Sequence, residues 1–195
     1  MKRYLVIVTL FLLALTTAKA QRVDDFTLIN AVDGQEYTLE QFNKQTALVL
    51  VFTGLNCPFS RLYEDRLIAL HNTFSAQNIS FVLINPLVGF DEEESEEKIK
   101  QRVESKGMKF PFLMDVSQEV SRSFEITKLP EVVVITFSPT GASIAYRGAI
   151  DNNPQVAANA NLKYLENALT SITNRRNPSP ASSRPVGCNV RYVGF

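Results

Sequence analysis

Residues 46–68 read Thr46-Ala47-Leu48-Val49-Leu50-Val51-Phe52-Thr53-Gly54-Leu55-Asn56-Cys57-Pro58-Phe59-Ser60-Arg61-Leu62-Tyr63-Glu64-Asp65-Arg66-Leu67-Ile68. The apolar run from Ala47 to Phe52 has the length and β-branched content of a strand buried on both faces. The chain then turns through Thr53-Gly54-Leu55-Asn56 and enters a segment in which Leu62, Leu67, Ile68 and Leu70 recur at helical spacing. Cys57 falls at the junction. There, unpaired backbone N–H groups and the positive end of the helix dipole stabilise a thiolate. Pro58 suits the first helical position, where its missing N–H is not needed. Cys57 is therefore a candidate nucleophile, with a buried structural cysteine as the plainer alternative.

Working outward, Phe26 to Ile29 reads as a short strand, Asp33-Gly34 as a turn, and Thr38-Leu39-Glu40-Gln41 as a capping box that starts a short helix. After a helix over about 58–76, Ile79 to Ile84 forms a second apolar run of strand length. A helix ending at Gly107, a strand over Phe112–Asp115 and a short helix over 117–124 follow. Val132 to Phe137 and Ser143 to Arg147 flank the turn Pro139-Thr140-Gly141 as a hairpin. Asn161 to Ile172 is an amphipathic helix with Leu162, Leu165, Leu169 and Ile172 on one face. Strands interleaved with helices, closed by a hairpin and a last helix, predict an α/β domain with a mixed central sheet.

The 195 residues, 45% of them hydrophobic, suit one globular domain. Residues 1–20 have the pattern of a secretory signal peptide: a basic start at Lys2-Arg3, an apolar stretch from Tyr4 to Leu15, and Ala18-Lys19-Ala20 as a cleavage site. A retained N-terminal anchor is the alternative. The expected organisation is a signal peptide over 1–20, a domain over 21–174, and a Pro-, Ser- and Arg-containing tail over 175–195. The product would be exported, periplasmic or secreted, where disulfides persist, with no membrane contact after cleavage. The whole chain has no net charge; taking Lys2, Arg3 and Lys19 from the 20 basic residues leaves 17 against 20 acidic. No basic excess points to nucleic acid as a partner.

One histidine, His71, and two cysteines, Cys57 and Cys188, do not make a metal cluster, so no metal or cofactor is expected. His71 reads as a helix-surface residue. The run Asp91-Glu92-Glu93-Glu94-Ser95-Glu96-Glu97 reads as the solvated start of a helix, since acids favour that end of the dipole.

Several motifs then converge. Leu55-Asn56-Cys57-Pro58-Phe59, Tyr63-Glu64-Asp65-Arg66-Leu67, Tyr146-Arg147-Gly148, Ile150-Asp151-Asn152-Asn153 and Pro185-Val186-Gly187-Cys188 occur in that order. On them the chain resembles the thioredoxin superfamily and, within it, the peroxiredoxin-like AhpC/TSA-type redoxins, over about residues 22–190. The resemblance implies a thioredoxin fold with an N-terminal β extension and an inserted βα element near 108–125. It implies that Pro130 follows a cis peptide bond and shapes a substrate groove beside Cys57, and that Asp151 to Pro154 line that groove; an Asx turn explains the latter equally well.

The sequence also departs from the family. The second thiol of a Cys-x-x-Cys motif is replaced by Ser60, which cannot exchange disulfides. The internal acid that thioredoxins carry six residues before the nucleophile is Val51, and the peroxide-positioning Thr of peroxiredoxins is Gly54. Arg61 adds positive potential to the sulfur only if it points back, and Tyr63 to Arg66 read as helix surface with intrahelical pairs.

Cys188 then has three open roles. It resolves a mixed disulfide or sulfenic acid on Cys57; it forms a permanent staple that contributes about 4–5 kcal/mol by closing a long loop; or it pairs with another protein. A mobile linker over 174–186 would let it fold back. The expected catalytic residues are Cys57, Cys188 and Pro130, acting on a protein or small-molecule disulfide, with the oligomeric state open. A peroxiredoxin-like peroxidase and a non-catalytic thioredoxin-fold binding module are the alternatives.

Overall fold

The computed structural model describes residues 22–194. The expected signal peptide lies outside them. The elements are β1 (Thr27–Asn30), β2 (Glu36–Thr38), β3 (Ala47–Phe52), α1 (Pro58–Phe74), β4 (Ile79–Asn85), α2 (Glu96–Lys106), β5 (Phe112–Met114), α3 (Glu119–Ser123), β6 (Lys128–Leu129), β7 (Glu131–Ser138), β8 (Gly141–Gly148), α4 (Tyr164–Thr173) and β9 (Cys188–Asn189). The main sheet runs β2-β1-β5-β4-β3-β7-β8, and β6 pairs with β9 separately. β3 is parallel to β4 and antiparallel to β7, and β4 is parallel to β5. The mixed α/β architecture is the expected one.

Every residue of β3 is buried. Successive side chains of a strand point to opposite faces, so an unbroken apolar run needs cover on both. Ala47, Val49 and Val51 pack with Leu67 and Phe74 of α1, Ile99 and Val103 of α2, and Leu165 and Leu169 of α4. Leu48, Leu50 and Phe52 pack on the opposite face with Val120, Phe124, Leu129 and Cys57. Val51 is thus core on the helix-covered face.

The ends of the helices follow their caps. Ser95 caps α2, its Oγ accepting from Lys98 N–H at 3.4 Å, and Gly107 ends it with φ +60°. Thr38, by contrast, is the last residue of β2, and only a single 3-10 turn follows at Glu40–Phe42. Half of the capping box is present: the Gln41 side chain accepts from Thr38 N–H at 3.4 Å. The pairing of β2 with β1 outweighs the local signal. α4 begins at Tyr164 rather than at 161, because the Asn152 side chain and backbone hold Leu162 in the preceding loop (3.0 and 3.1 Å), leaving Leu162 exposed.

Tyr63, Glu64, Asp65 and Arg66 differ from expectation in a second way. Tyr63 and Glu64 are buried, and the charges pair across elements: Glu64 with Arg102, Asp65 with Lys106, Arg66 with Asp151. The face they occupy is covered by α2 and by the loop after β8, which sequence spacing alone does not reveal.

His71 is half-buried rather than a surface residue. Its ring meets Phe81 and Phe110 edge to face, with centroids at 5.7 and 5.0 Å, and its Nδ1 is buried without a hydrogen-bond partner. Burial, and then the charge of Lys109, holds the imidazole below its ordinary value of 6.5. The unfolded chain therefore takes up this proton more readily than the folded one. The associated stability is fully present above pH 6.5 and is lost as pH falls through the lower folded value. Because the chain has one histidine, its NMR resonance is expected to titrate alone with a midpoint below 6.5. A midpoint at or above that value would contradict this environment.

Candidate functional site: the Cys57–Cys188 disulfide

The site is built where β3 ends. Thr53 N–H still pairs with Ile84 O at 2.9 Å, and the chain then leaves the sheet through Gly54, Leu55 and Asn56. Cys57 is the N-cap residue of α1 in an extended conformation (φ −87°, ψ 116°), and Pro58 is the first helical residue. Cys57 is only 3% exposed. It is bonded to Cys188, with a Cα–Cα distance of 6.0 Å. The Leu129–Pro130 bond is cis, as the resemblance implied. Cys57 Sγ lies 3.2 Å from Leu129 O. The expected residues Cys57, Cys188 and Pro130 are therefore brought to one place.

The tail takes part in building the site. Leu129 stands opposite Cys188 and Lys128 opposite Asn189 in an antiparallel pair, and Val190 N–H donates to Thr127 O at 3.1 Å. The tail is a docked strand here, and the expected mobile linker over 174–186 is itself held. Arg147 N–H donates to Ala181 O and Ser183 N–H to Arg147 O, while Ser183 Oγ contacts Tyr146 OH at 2.6 Å. Beyond the cysteine, Gln118 uses both ends of its side chain. Nε2 donates to Arg191 O and Pro86 O, and Oε1 accepts from Val193 N–H. Arg122 stacks on the Tyr192 ring with 4.6 Å to the centroid, and burial pushes the Tyr192 hydroxyl up to about 12.

Gly187 makes the docking possible. A Cβ there would lie 1.9 Å from Leu129 O and 2.6 Å from Leu129 C, both backbone atoms. Only glycine lets the tail approach the residue before the cis proline this closely.

A hollow of about 270 Å³ adjoins the disulfide, lined by Asn56, Leu87, Phe90, Glu94 and Arg191 among others. Glu94 is fully buried inside the acidic run that the sequence assigns to a solvated helix start. The local reading holds for its neighbours, since Glu92–Glu94 form a 3-10 turn and Glu96 and Glu97 open α2. Glu94 itself turns inward because Leu55 and Asn56 N–H, which have no sheet partner, need an acceptor.

The remaining expected residues are peripheral. Ser60 Oγ accepts from Gly54 N–H at 3.4 Å, a structural contact. Arg61 does point back, its Nε donating to Leu55 O at 2.6 Å. Asp151 forms an Asx turn, accepting from Asn153 N–H at 2.8 Å, and binds Tyr63 OH and Arg66. Burial and the Asp151 hydrogen bond raise the Tyr63 hydroxyl well above its ordinary value. Among the described residues, no three His, Cys, Asp or Glu side chains converge to hold a metal ion.

Chemically, the arrangement is a two-electron disulfide couple at a helix N-terminus, with one sulfur on the core and the other on a docked strand. A family model described as AhpC/TSA family matches residues 20–150. No functionally curated protein matches the chain. A hypothetical protein from Sinorhizobium meliloti is similar over 92% of this chain and 97% of its own, at 24% identity and a TM-score of 0.82. The peroxidoxin BcpB from Mycobacterium tuberculosis aligns over 81% of this chain and 97% of its own (18% identity, TM-score 0.61). The thioredoxin domain of a thiol-disulfide oxidoreductase from Bacteroides vulgatus covers 66% of this chain and 86% of its own (19% identity, TM-score 0.53). These likenesses establish a thioredoxin-type fold.

Proposed function

The chain belongs to the AhpC/TSA family, and on that premise we propose that it is an exported thiol–disulfide oxidoreductase in which Cys57 and Cys188 form the working redox pair. One observation carries the reading: the bond between them lies at the N-terminus of α1, beside the cis proline, on a strand held mainly by hydrogen bonds. In the reduced protein the Cys57 thiolate attacks one sulfur of a substrate disulfide. That bond breaks, the departing sulfur takes a proton from solvent, and a Cys57–substrate disulfide forms. The Cys188 thiolate then attacks Cys57 Sγ, the substrate leaves as its second thiol, and the Cys57–Cys188 bond closes. Two electrons pass from protein to substrate, and the reverse sequence oxidises a dithiol. Cys188 thus does in this protein what Ser60 cannot.

Peroxide reduction has less support. Gly54 has no hydroxyl to position peroxide, and a Cβ there would lie 3.1 Å from Glu94 Oε1 and 3.2 Å from Leu87 Cδ1, so a threonine would require both side chains to give way.

The test is a redox titration of the native protein in thiol–disulfide buffers, read by mass spectrometry of alkylated cysteines. A reversible two-electron midpoint between about −270 and −120 mV is expected for a working pair. A bond that opens only below about −300 mV, or only on unfolding, marks a structural staple and overturns the proposal. The reduced protein is expected to react with hydrogen peroxide no faster than free cysteine does; a much faster reaction would transfer the function to a peroxidase.

A further inference from the structure

Glu94 is a buried ionisable group that the exchange scheme leaves unused. Its carboxylate has no exposed surface, and burying a charge is costly unless hydrogen bonds replace its water. Three neutral donors do so: Leu55 N–H at 2.7 Å and Asn85 Nδ2 at 2.8 Å on Oε2, and Asn56 N–H at 2.7 Å on Oε1. The two backbone donors belong to consecutive residues of the turn that delivers Cys57, and Glu94 shares the hollow beside the disulfide with Cys57 and Cys188. Gly54 completes the arrangement, because a side chain there would crowd Oε1.

We propose that Glu94 is a positioning residue of the redox pair: its carboxylate fixes the 54–56 turn and sets a negative charge beside Cys57, making the thiolate costlier to form. The proposal rests on Cys57 being the nucleophile. In a water-poor site a like charge disfavours ionisation of its neighbour, so Glu94 opposes the helix N-terminus that favours the thiolate. The consequence is a Cys57 that is a less acidic thiol and a disulfide that is harder to reduce than the helix end alone would give. Arg61 and Asp91 also bind this turn, at Leu55 O and Asn56 Nδ2, and Arg191 lines the hollow; further out, Lys128 binds Asn189 and Glu131, after Pro130, pairs with Arg147. Their charges are unaltered when only residue 94 is changed.

The experiment follows the alkylation rate of Cys57 against pH in a Cys188→Ser background, where Cys57 is the single thiol. Glu94→Gln keeps the size of the side chain and removes its charge. It is expected to lower the midpoint by about one unit, which is roughly tenfold more thiolate at pH values below it. Glu94→Asp keeps the charge with a shorter reach; it is expected to lose stability while leaving the midpoint near that of the parent. A purely structural role would move stability in both variants and the midpoint in neither. An unchanged midpoint in Glu94→Gln therefore overturns the proposal, as does an Asp variant whose midpoint falls by a full unit. If Glu94→Gln is too unstable in plain buffer, it and the parent are titrated in sucrose, which favours the folded state, and the same criterion applies to its midpoint. A Cys57 that resists alkylation at every pH in the folded parent would defeat the oxidoreductase reading itself, a result separate from either outcome for Glu94.

Discussion

Replacing both cysteines, as Cys57→Ala with Cys188→Ala, is expected to lower the unfolding free energy by about 5 kcal/mol, which is the loop-closure entropy of so long a ring in the unfolded chain. The ring spans 131 positions and takes in the described elements from α1 to the start of β9. Reductant should do the same to the native protein, so denaturant curves with and without it are the measurement. The effect closes a thermodynamic cycle. Whatever the bond adds to folding, folding adds to the bond, and about 5 kcal/mol on a two-electron couple is roughly 110 mV of added resistance to reduction relative to the unfolded chain. A shift below about 1 kcal/mol would mean that the tail is already held next to Cys57 in the unfolded ensemble, or that native strain cancels the entropy.

Gly187→Ala is expected to have the next largest effect. The added methyl would meet Leu129 O at 1.9 Å and Leu129 C at 2.6 Å, with Pro130 N at 3.2 Å. These are backbone atoms of the strand end that Cys188 pairs with, so no rotamer change relieves the overlap. The tail must move away, and the Leu129–Cys188 register and the approach of Cys188 to Cys57 move with it. Overpacking of this kind typically costs about 1–3 kcal/mol, so the equilibrium constant for closing the disulfide should fall roughly 5- to 150-fold. Titration against glutathione measures it, and hydrogen exchange at residues 188–193 should show the tail losing protection. Wild-type closure in this variant would show that the tail reaches Cys57 without the observed strand pairing.

Docking rather than loop length alone determines where Cys188 sits. Gln118 holds Arg191 and Val193, the Arg147 backbone holds Ala181 and Ser183, and Tyr192 OH donates to Ile126 O at 2.7 Å. Much of this depends on backbone carbonyl and amide groups, which every residue carries. A tail rich in Pro, Ser and Arg therefore shows no apolar pattern to reveal it. The same limit applies to Glu94 and to Gln118. Each is buried because distant backbone groups need a partner, a demand written elsewhere in the chain.

What the sequence determined by itself lies in its locally periodic parts. The Ala47–Phe52 run is β3 residue for residue, because an apolar stretch without polar interruption is stable only with cover on both faces. Cys57 with Pro58 marks the start of α1, because proline tolerates only the first turn. The mixed α/β order, the hairpin of β7 and β8, and Cys57 as the residue to watch were all legible from such signals. Only the tertiary structure decided that Cys188 pairs with Cys57, that Gly187 is the residue permitting it, that Tyr63 to Arg66 bind across elements, and that one acid of an exposed-looking run is buried beside the disulfide. The physical reason is common to all four. Spacing along a chain records what one helix or strand needs, whereas a disulfide, a close backbone approach and a buried carboxylate are set by groups far apart in sequence that meet only once the sheet has formed.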